Sequence, residues 1–247
     1  MEDRGWALVT GAARRIGRTL AQCVAEAGFD VVAHSRTAAD ADGVAAEVRA
    51  LGRRARTCGG DLADPRTPRL LLEACPAPPT LLINCASVFE PDEISTLDVV
   101  GLDTAYAVNL RAPVLLAQAF AEALPPDQRG LIVNILDQRV WRLNPLFFSY
   151  TLSKAALWTA TQTLAQALAP RIRVNGVAPG PTLPSAHQTP EIFAAEAAAT
   201  PLGAAVDPRE IGRAVVYLIE ASSVTGLMIA VDGGQHLAWQ TPDVVGE

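Results

Sequence analysis

The sequence predicts an α/β fold, a doubly wound parallel sheet of seven strands with helices on both faces, and three observations predict it. Short β-like runs alternate with longer Ala- and Leu-rich runs along the chain, as in a series of βαβ units. The segments "LLI" (81–83) and "LIV" (131–133) are apolar without alternation, as strands covered on both faces must be. No Ser/Gly-rich linker or repeat interrupts the pattern, so residues 1–247 read as one domain.

Strands are expected at "WALVT" (6–10), "DVVAHS" (30–35), "RARTCG" (54–59), "TLLIN" (80–84), "GLIVNIL" (130–136), "IRVNGV" (172–177) and "LMIAV" (227–231). Segments 15–27, 38–50, 103–123, 150–168 and 207–220 carry apolar residues at helical spacing. Gly28 and Pro170 end two of them. The stretch 180–205 has three prolines ahead of one short helix-like piece. It follows the carboxyl end of a strand, where open α/β sheets bind ligands, and so reads as a substrate-binding lid.

Half of the residues are apolar and 19% are charged, the balance of a chain with a sizeable core. A net charge of −6 argues against a nucleic-acid or membrane-surface binder, which needs a broad cationic face. The opening "MEDRGWALVT" does not read as a secretory signal, and no uninterrupted apolar run reaches the length of a membrane span. The expectation is a soluble cytoplasmic protein. Cys23, Cys58, Cys75 and Cys85 are unevenly spaced, and His34, His187 and His236 are isolated, so no metal is expected.

The turn "TGAARRIGR" (10–18) joins the first strand to the first helix. Such a turn aims backbone N–H groups and a helix dipole at whatever lies above it, which favours a pyrophosphate. The second strand ends in "HSR" (34–36), where an NAD site usually places a carboxylate on the adenine ribose. Ser35 is neutral and Arg36 cationic, so a 2′-phosphate is attracted rather than repelled. Arg14 or Arg15, projecting from the first turn, is expected to reach the same phosphate or the bound substrate.

In "SYTLSKAAL" (149–157), Tyr150 and Lys154 are four residues apart and share a helix face. A cation beside a phenol favours phenolate and lowers its pKa from about 10 toward neutrality. A tyrosine so tuned exchanges protons near pH 7.

Taken together, these residues resemble the short-chain dehydrogenase/reductase family over nearly the whole chain. The matches run in the family's order: "TGAARRIG", Asp61 in "GDL", "INCAS", Asn109 in "AVNLRAP", the Tyr150/Lys154 pair, "RVNGVAPG", and "VDGG" at 231–234. The resemblance implies a Rossmann-like domain that binds NADPH (NADP+), with Tyr150 as proton donor. Lys154 would lower its pKa and hold the ribose, and Asn109 would support a water-linked proton relay. The cofactor would lie along Gly11, Arg14, Arg15, Ile16, Gly17, His34, Ser35 and Arg36. Beyond them it would meet Asp61, Leu62, Asn84, Ala86, Ser87, Tyr150, Lys154, Pro179 and Gly180. A homotetramer is also implied, by pairing of the helices that follow the fourth and fifth strands.

The departures point to the substrate. Most of the family has a glycine where Arg15 stands and a serine where "NILDQ" supplies Asp137. Serine hydrogen-bonds a ketone, whereas a carboxyl held partly protonated near Tyr150 can deliver a proton to a ring nitrogen. At these points the chain resembles the pteridine reductases, including dihydromonapterin-type reductases. That resemblance implies Phe89 stacked on a pterin, Ser87 bonded to pterin or cofactor, and Arg15 facing the cofactor phosphates and the pterin. Cys85 replaces the second Asn of the usual motif. The expected function is NADPH-dependent reduction of a dihydropterin-like substrate by Asp137 and Tyr150. A carbonyl reductase and a non-catalytic NADP-binding sensor are the alternatives.

Overall fold

Residues 3–239 are described by a computed structural model, in which seven parallel strands form one sheet. They are β1 (Trp6–Val9), β2 (Asp30–Ser35), β3 (Ala55–Gly59), β4 (Leu81–Asn84), β5 (Gly130–Ile135), β6 (Ile172–Pro179) and β7 (Met228–Val231). Their order is β3-β2-β1-β4-β5-β6-β7. The order reverses between β1 and β4, where Ala7 pairs with Leu81 and Val9 with Ile83, and that switch point is where such sheets bind ligands.

Successive residues of a strand enter different cores. Ala7 and Val9 pack beneath α1 (Arg15–Glu26), α2 (Asp42–Ala50) and α8 (Pro208–Glu220). Trp6 and Leu8 pack beneath α3 (Thr67–Glu73), α5 (Ala112–Ala123) and α6 (Phe148–Leu168). This double burial is why β1 reads as an unbroken apolar run. Phe120 of α5 is fully buried, and its truncation to alanine costs about 3–5 kcal/mol.

α4 (Val99–Tyr106) and α5 are joined through a π-helical segment, Ala107–Arg111, into one helix over Val99–Ala123. That helix is long and apolar enough to cross a membrane, yet its Leu116, Ala117 and Phe120 are buried against the sheet. It begins before the expected position 103 because the Asp98 side chain accepts from Gly101 N at 2.9 Å and caps it.

The strands lie within two residues of their expected bounds. Segment 38–50 opens with a 3-10 turn, Ala38–Ala41, before α2 begins at Asp42. α3 was not anticipated; its seven residues are too few to establish a helical period. The expected lid contains an irregular run from Pro181 to Thr189 and then α7 (Pro190–Ala198).

Candidate active site

The turn after β1 is shaped for close approach. Gly11 has φ +66°, and a Cβ there would lie 2.8 Å from Ala86 Cα. A Cβ on Gly17 would lie 2.1 Å from Gly11 O, so both positions require glycine. Thr10 Oγ1 ties the turn to the end of β4 by accepting from Cys85 N (3.0 Å) and Ala86 N (3.2 Å). Among the described residues no side chain caps the first turn of α1, which leaves its positive end, at Ile16 and Gly17, suited to an anion.

Among the described residues, the side chains of Arg14 and Arg36 make no hydrogen bond or ion pair, and both are exposed. Ser35 Oγ bonds back to Thr37 O at 2.5 Å. The turn after β1 and the end of β2 therefore offer two uncommitted guanidiniums, and the end of β2 offers no carboxylate. These residues fit a nucleotide carrying a 2′-phosphate.

The side chains of several residues expected along the cofactor bond within the protein. His34 is 2% exposed; its Nδ1 accepts from Gly11 N at 3.4 Å and its Nε2 donates to Gly60 O at 3.0 Å. It braces the turn from beneath and stays neutral, because burial pushes its pKa down. Asn84 is likewise buried, donating to Asn134 Oδ1 at 2.8 Å, and so joins β4 to β5. Asp61, exposed, accepts from Ala63 N at 2.9 Å, and Leu62 is buried in the core. Ala86 lies half-buried beside Gly11, and Pro179 ends β6 with Gly180 following it, whose N donates to Val231 O.

The expected chemical group does converge. Asp137 follows β5, and its Oδ1 accepts from Arg139 N at 2.8 Å, fixing the carboxylate at the head of the 3-10 turn Gln138–Val140. Its Oδ2 accepts from the Tyr150 hydroxyl at 2.9 Å. Lys154, one helical turn beyond Tyr150, donates from Nζ to Ile135 O at 2.7 Å. Burial pushes Asp137 above the usual carboxylate range, against the pull of Arg139 and Lys154. Burial also brings Lys154 down to about 8.

One expectation is corrected here. Lys154 was to lower the Tyr150 pKa, but burial and the adjacent Asp137 carboxylate push it well above its ordinary value. Burial penalises the phenolate first, and the carboxylate in direct contact adds to that, against the opposing pull of Arg139.

Asn109 projects from the π segment, a helical form common at functional sites. Its Oδ1 accepts from Val88 N (2.8 Å) and Ser87 Oγ (3.1 Å), while its Nδ2 donates to Val88 O (2.9 Å) and Ser153 Oγ (3.0 Å). It clamps the loop after β4 onto α6. Ser87 thus bonds Asn109. Phe89 stacks on Phe147, with centroids 4.1 Å apart and planes 5° apart, and meets Tyr150 edge-on at 4.7 Å.

Sequence reasoning missed Phe147, Asp92 and Arg139. Phe147 precedes α6 with φ +55°, a left-handed conformation rare for an aromatic residue. The Asp92 carboxylate accepts from Ser149 N and Ser149 Oγ, and Asp92 O accepts from Phe148 N, so α6 is capped from 57 residues away. Nothing local signals that pairing. Arg139 stands two residues from Asp137 and had a neighbour as its only signal.

Arg15 does not point into open space. It has φ +55°, and its guanidinium donates to Pro184 O (2.7 Å) and Leu183 O (3.0 Å). His187 reaches Glu90, beside Phe89, at 3.2 Å. The run 181–189 is thereby tied to the phosphate turn at one point and to the aromatic loop at another.

A family model described as "Enoyl-(Acyl carrier protein) reductase" matches residues 11–236. An uncharacterized oxidoreductase of Mycobacterium tuberculosis is 36% identical over 92% of this chain and 90% of its own. L-xylulose reductase of Bos taurus is 33% identical over 92% and 95%. Among solved structures, FolM alternative dihydrofolate reductase 1 of Brucella suis in complex with NADP superposes with a TM-score of 0.93 at 49% identity. That match covers 99% of this chain and all (100%) of the other. The Brucella canis counterpart, complexed with NADP, gives 0.92 at 49% identity, covering 98% of each chain.

Proposed function

We propose, from the premise that this chain belongs to the short-chain dehydrogenase/reductase family, that it is an NADPH-dependent reductase of a dihydropterin-like C=N bond. The observation that carries this reading is the Asp137–Tyr150 contact of 2.9 Å. The 49% identity to FolM chains complexed with NADP supports it.

When bound, the dihydronicotinamide would supply the hydride for the ring carbon. Gly11, Ile16 and Gly17 would hold its pyrophosphate through their backbone, and Arg14 and Arg36 would take its 2′-phosphate. Burial pushes both Asp137 and Tyr150 toward their protonated forms, so Asp137 holds the transferable proton on its carboxyl while its Oδ2 accepts from the Tyr150 hydroxyl. The imine nitrogen takes the carboxyl proton of Asp137 as the carbon is reduced, and the Tyr150 hydroxyl, donating to Oδ2, stabilises the carboxylate left behind. A ring nitrogen is a base, so a carboxylic acid suits it as donor, whereas a ketone is served by a hydroxyl. Lys154 places a positive charge behind the pair, and Asn109 fixes the loop carrying Phe89.

The reading is tested by NADPH oxidation against dihydrobiopterin, dihydromonapterin, dihydrofolate and a ketone panel. Turnover of a dihydropterin above the ketones supports it; turnover of ketones alone transfers the chain to the carbonyl reductases. Localisation in the cytoplasm and assembly as a homotetramer belong to the same proposal.

A further inference from the structure

Arg139 places a guanidinium beside Asp137 and the Phe89–Phe147 stack with part of its hydrogen-bonding capacity unused. Its Cζ is 5.1 Å from the ring centroids of both Phe89 and Phe147, which are themselves 4.1 Å apart. A point equidistant from both centroids flanks the stack instead of capping it, so the guanidinium does not cover an outer ring face, where the quadrupole favours a cation. Nη1 is buried and has no hydrogen-bond partner among the described residues. The half-buried Arg171 and Arg173, by contrast, spend their guanidiniums on backbone carbonyls at 2.7–3.3 Å. A buried donor without a partner is costly unless a ligand supplies one.

Arg139 is also held in place. Its backbone N is bonded to Asp137 Oδ1 at 2.8 Å, and its Cζ lies 6.0 Å from the Tyr150 ring. It therefore lies on the aromatic side of the Asp137–Tyr150 pair.

We propose that Arg139 is a specificity-determining residue that donates to an oxygen acceptor of a flat heterocyclic substrate seated among Phe89, Phe147 and Tyr150. This rests on the heterocycle reading above. The acceptor is a ring carbonyl or a side-chain carboxylate, which share the chemistry of a guanidinium-bound oxygen.

The test is calorimetric binding of biopterin, which has a ring carbonyl and no carboxylate, and of folic acid, which has both. Both are titrated into the NADP+-loaded protein, native and with Arg139→Leu or Arg139→Lys. Arg139→Leu is expected to weaken binding roughly 10- to 100-fold while NADP+ affinity is unchanged, with Arg139→Lys between it and native. Weakening of both ligands assigns the ring carbonyl, and weakening of folic acid alone assigns the carboxylate. Undiminished binding of both by either variant overturns the assignment and leaves the heterocycle reading standing. If the native protein binds neither ligand, the heterocycle reading fails and the assignment with it. Should Arg139→Leu lose NADP+ binding, Arg139→Lys alone decides.

Discussion

Tyr150 donates its phenolic hydrogen to Oδ2 of Asp137 across 2.9 Å, so the two groups at the head of α6 and the end of β5 act as one acid. Their titrations are coupled and belong to the pair. A hydroxyl in place of Asp137 would hold no such store, which is why this contact separates C=N from carbonyl chemistry.

Cofactor choice should follow Arg36. A charge-assisted bond to the 2′-phosphate contributes on the order of 1.5–3 kcal/mol, or roughly 10- to 150-fold in affinity. NADPH is expected to be strongly preferred over NADH, and Ser35→Asp with Arg36→Leu should reverse the preference. Comparison of kcat/KM for the two cofactors checks this; equal use by the native protein contradicts it.

Arg15→Gly should separate strain from function. Glycine adopts the φ of +55° freely, which favours the variant by about 1 kcal/mol. It also loses both bonds to Leu183 and Pro184. The melting temperature should hold or rise while limited proteolysis between 183 and 189 quickens. A lowered melting temperature with unchanged cleavage would show that the arginine serves the core and not the segment.

Lys154 sets the alkaline limit. Its pKa is depressed to about 8, so its charged form is present below that pH and lost above it. For reduction, kcat/KM for NADPH, which reports the free enzyme, should fall as pH rises through about 8. Lys154→Arg, charged throughout, should retain what activity it has to higher pH. A profile flat from pH 7 to beyond 9 would remove Lys154 from the account.

Much of the fold was legible because buried parallel strands are short unbroken apolar runs, as at Leu81–Ile83, and a long helix such as α6 carries enough turns to reveal its period. Tyr150 and Lys154 could be paired from spacing alone, since residues four apart share a face. Spacing said nothing of what meets them across the fold, and so the sign of the Tyr150 shift was misjudged. Position along the chain did not show that the side chains of His34 and Asn84 reach Gly60 and Asn134, because those partners lie on a neighbouring loop and strand. Arg139 and Phe147 belong to irregular backbone, where no period exists to be read.

Assembly is the next expectation. Val99 and Val100 at the start of α4 are 69% and 71% exposed, with Leu152 of α6 also uncovered. Apolar surface of this kind fits pairing of the helices that follow β4 and β5. Light scattering at micromolar concentration should give the mass of a tetramer, and Val100→Glu should reduce it. A monomeric native mass rules the arrangement out.

The central claim, that Asp137 feeds a proton to a ring nitrogen, is tested most directly by the NADPH oxidation rate of Asp137→Ser with a dihydropterin, measured beside NADP+ affinity. Serine is the residue usual in the family, so fold and cofactor binding should be kept. Turnover should fall by roughly 10² to 10⁴, the loss expected for a positioned general acid. Full dihydropterin turnover by Asp137→Ser, or a native enzyme that reduces only ketones, would contradict the account.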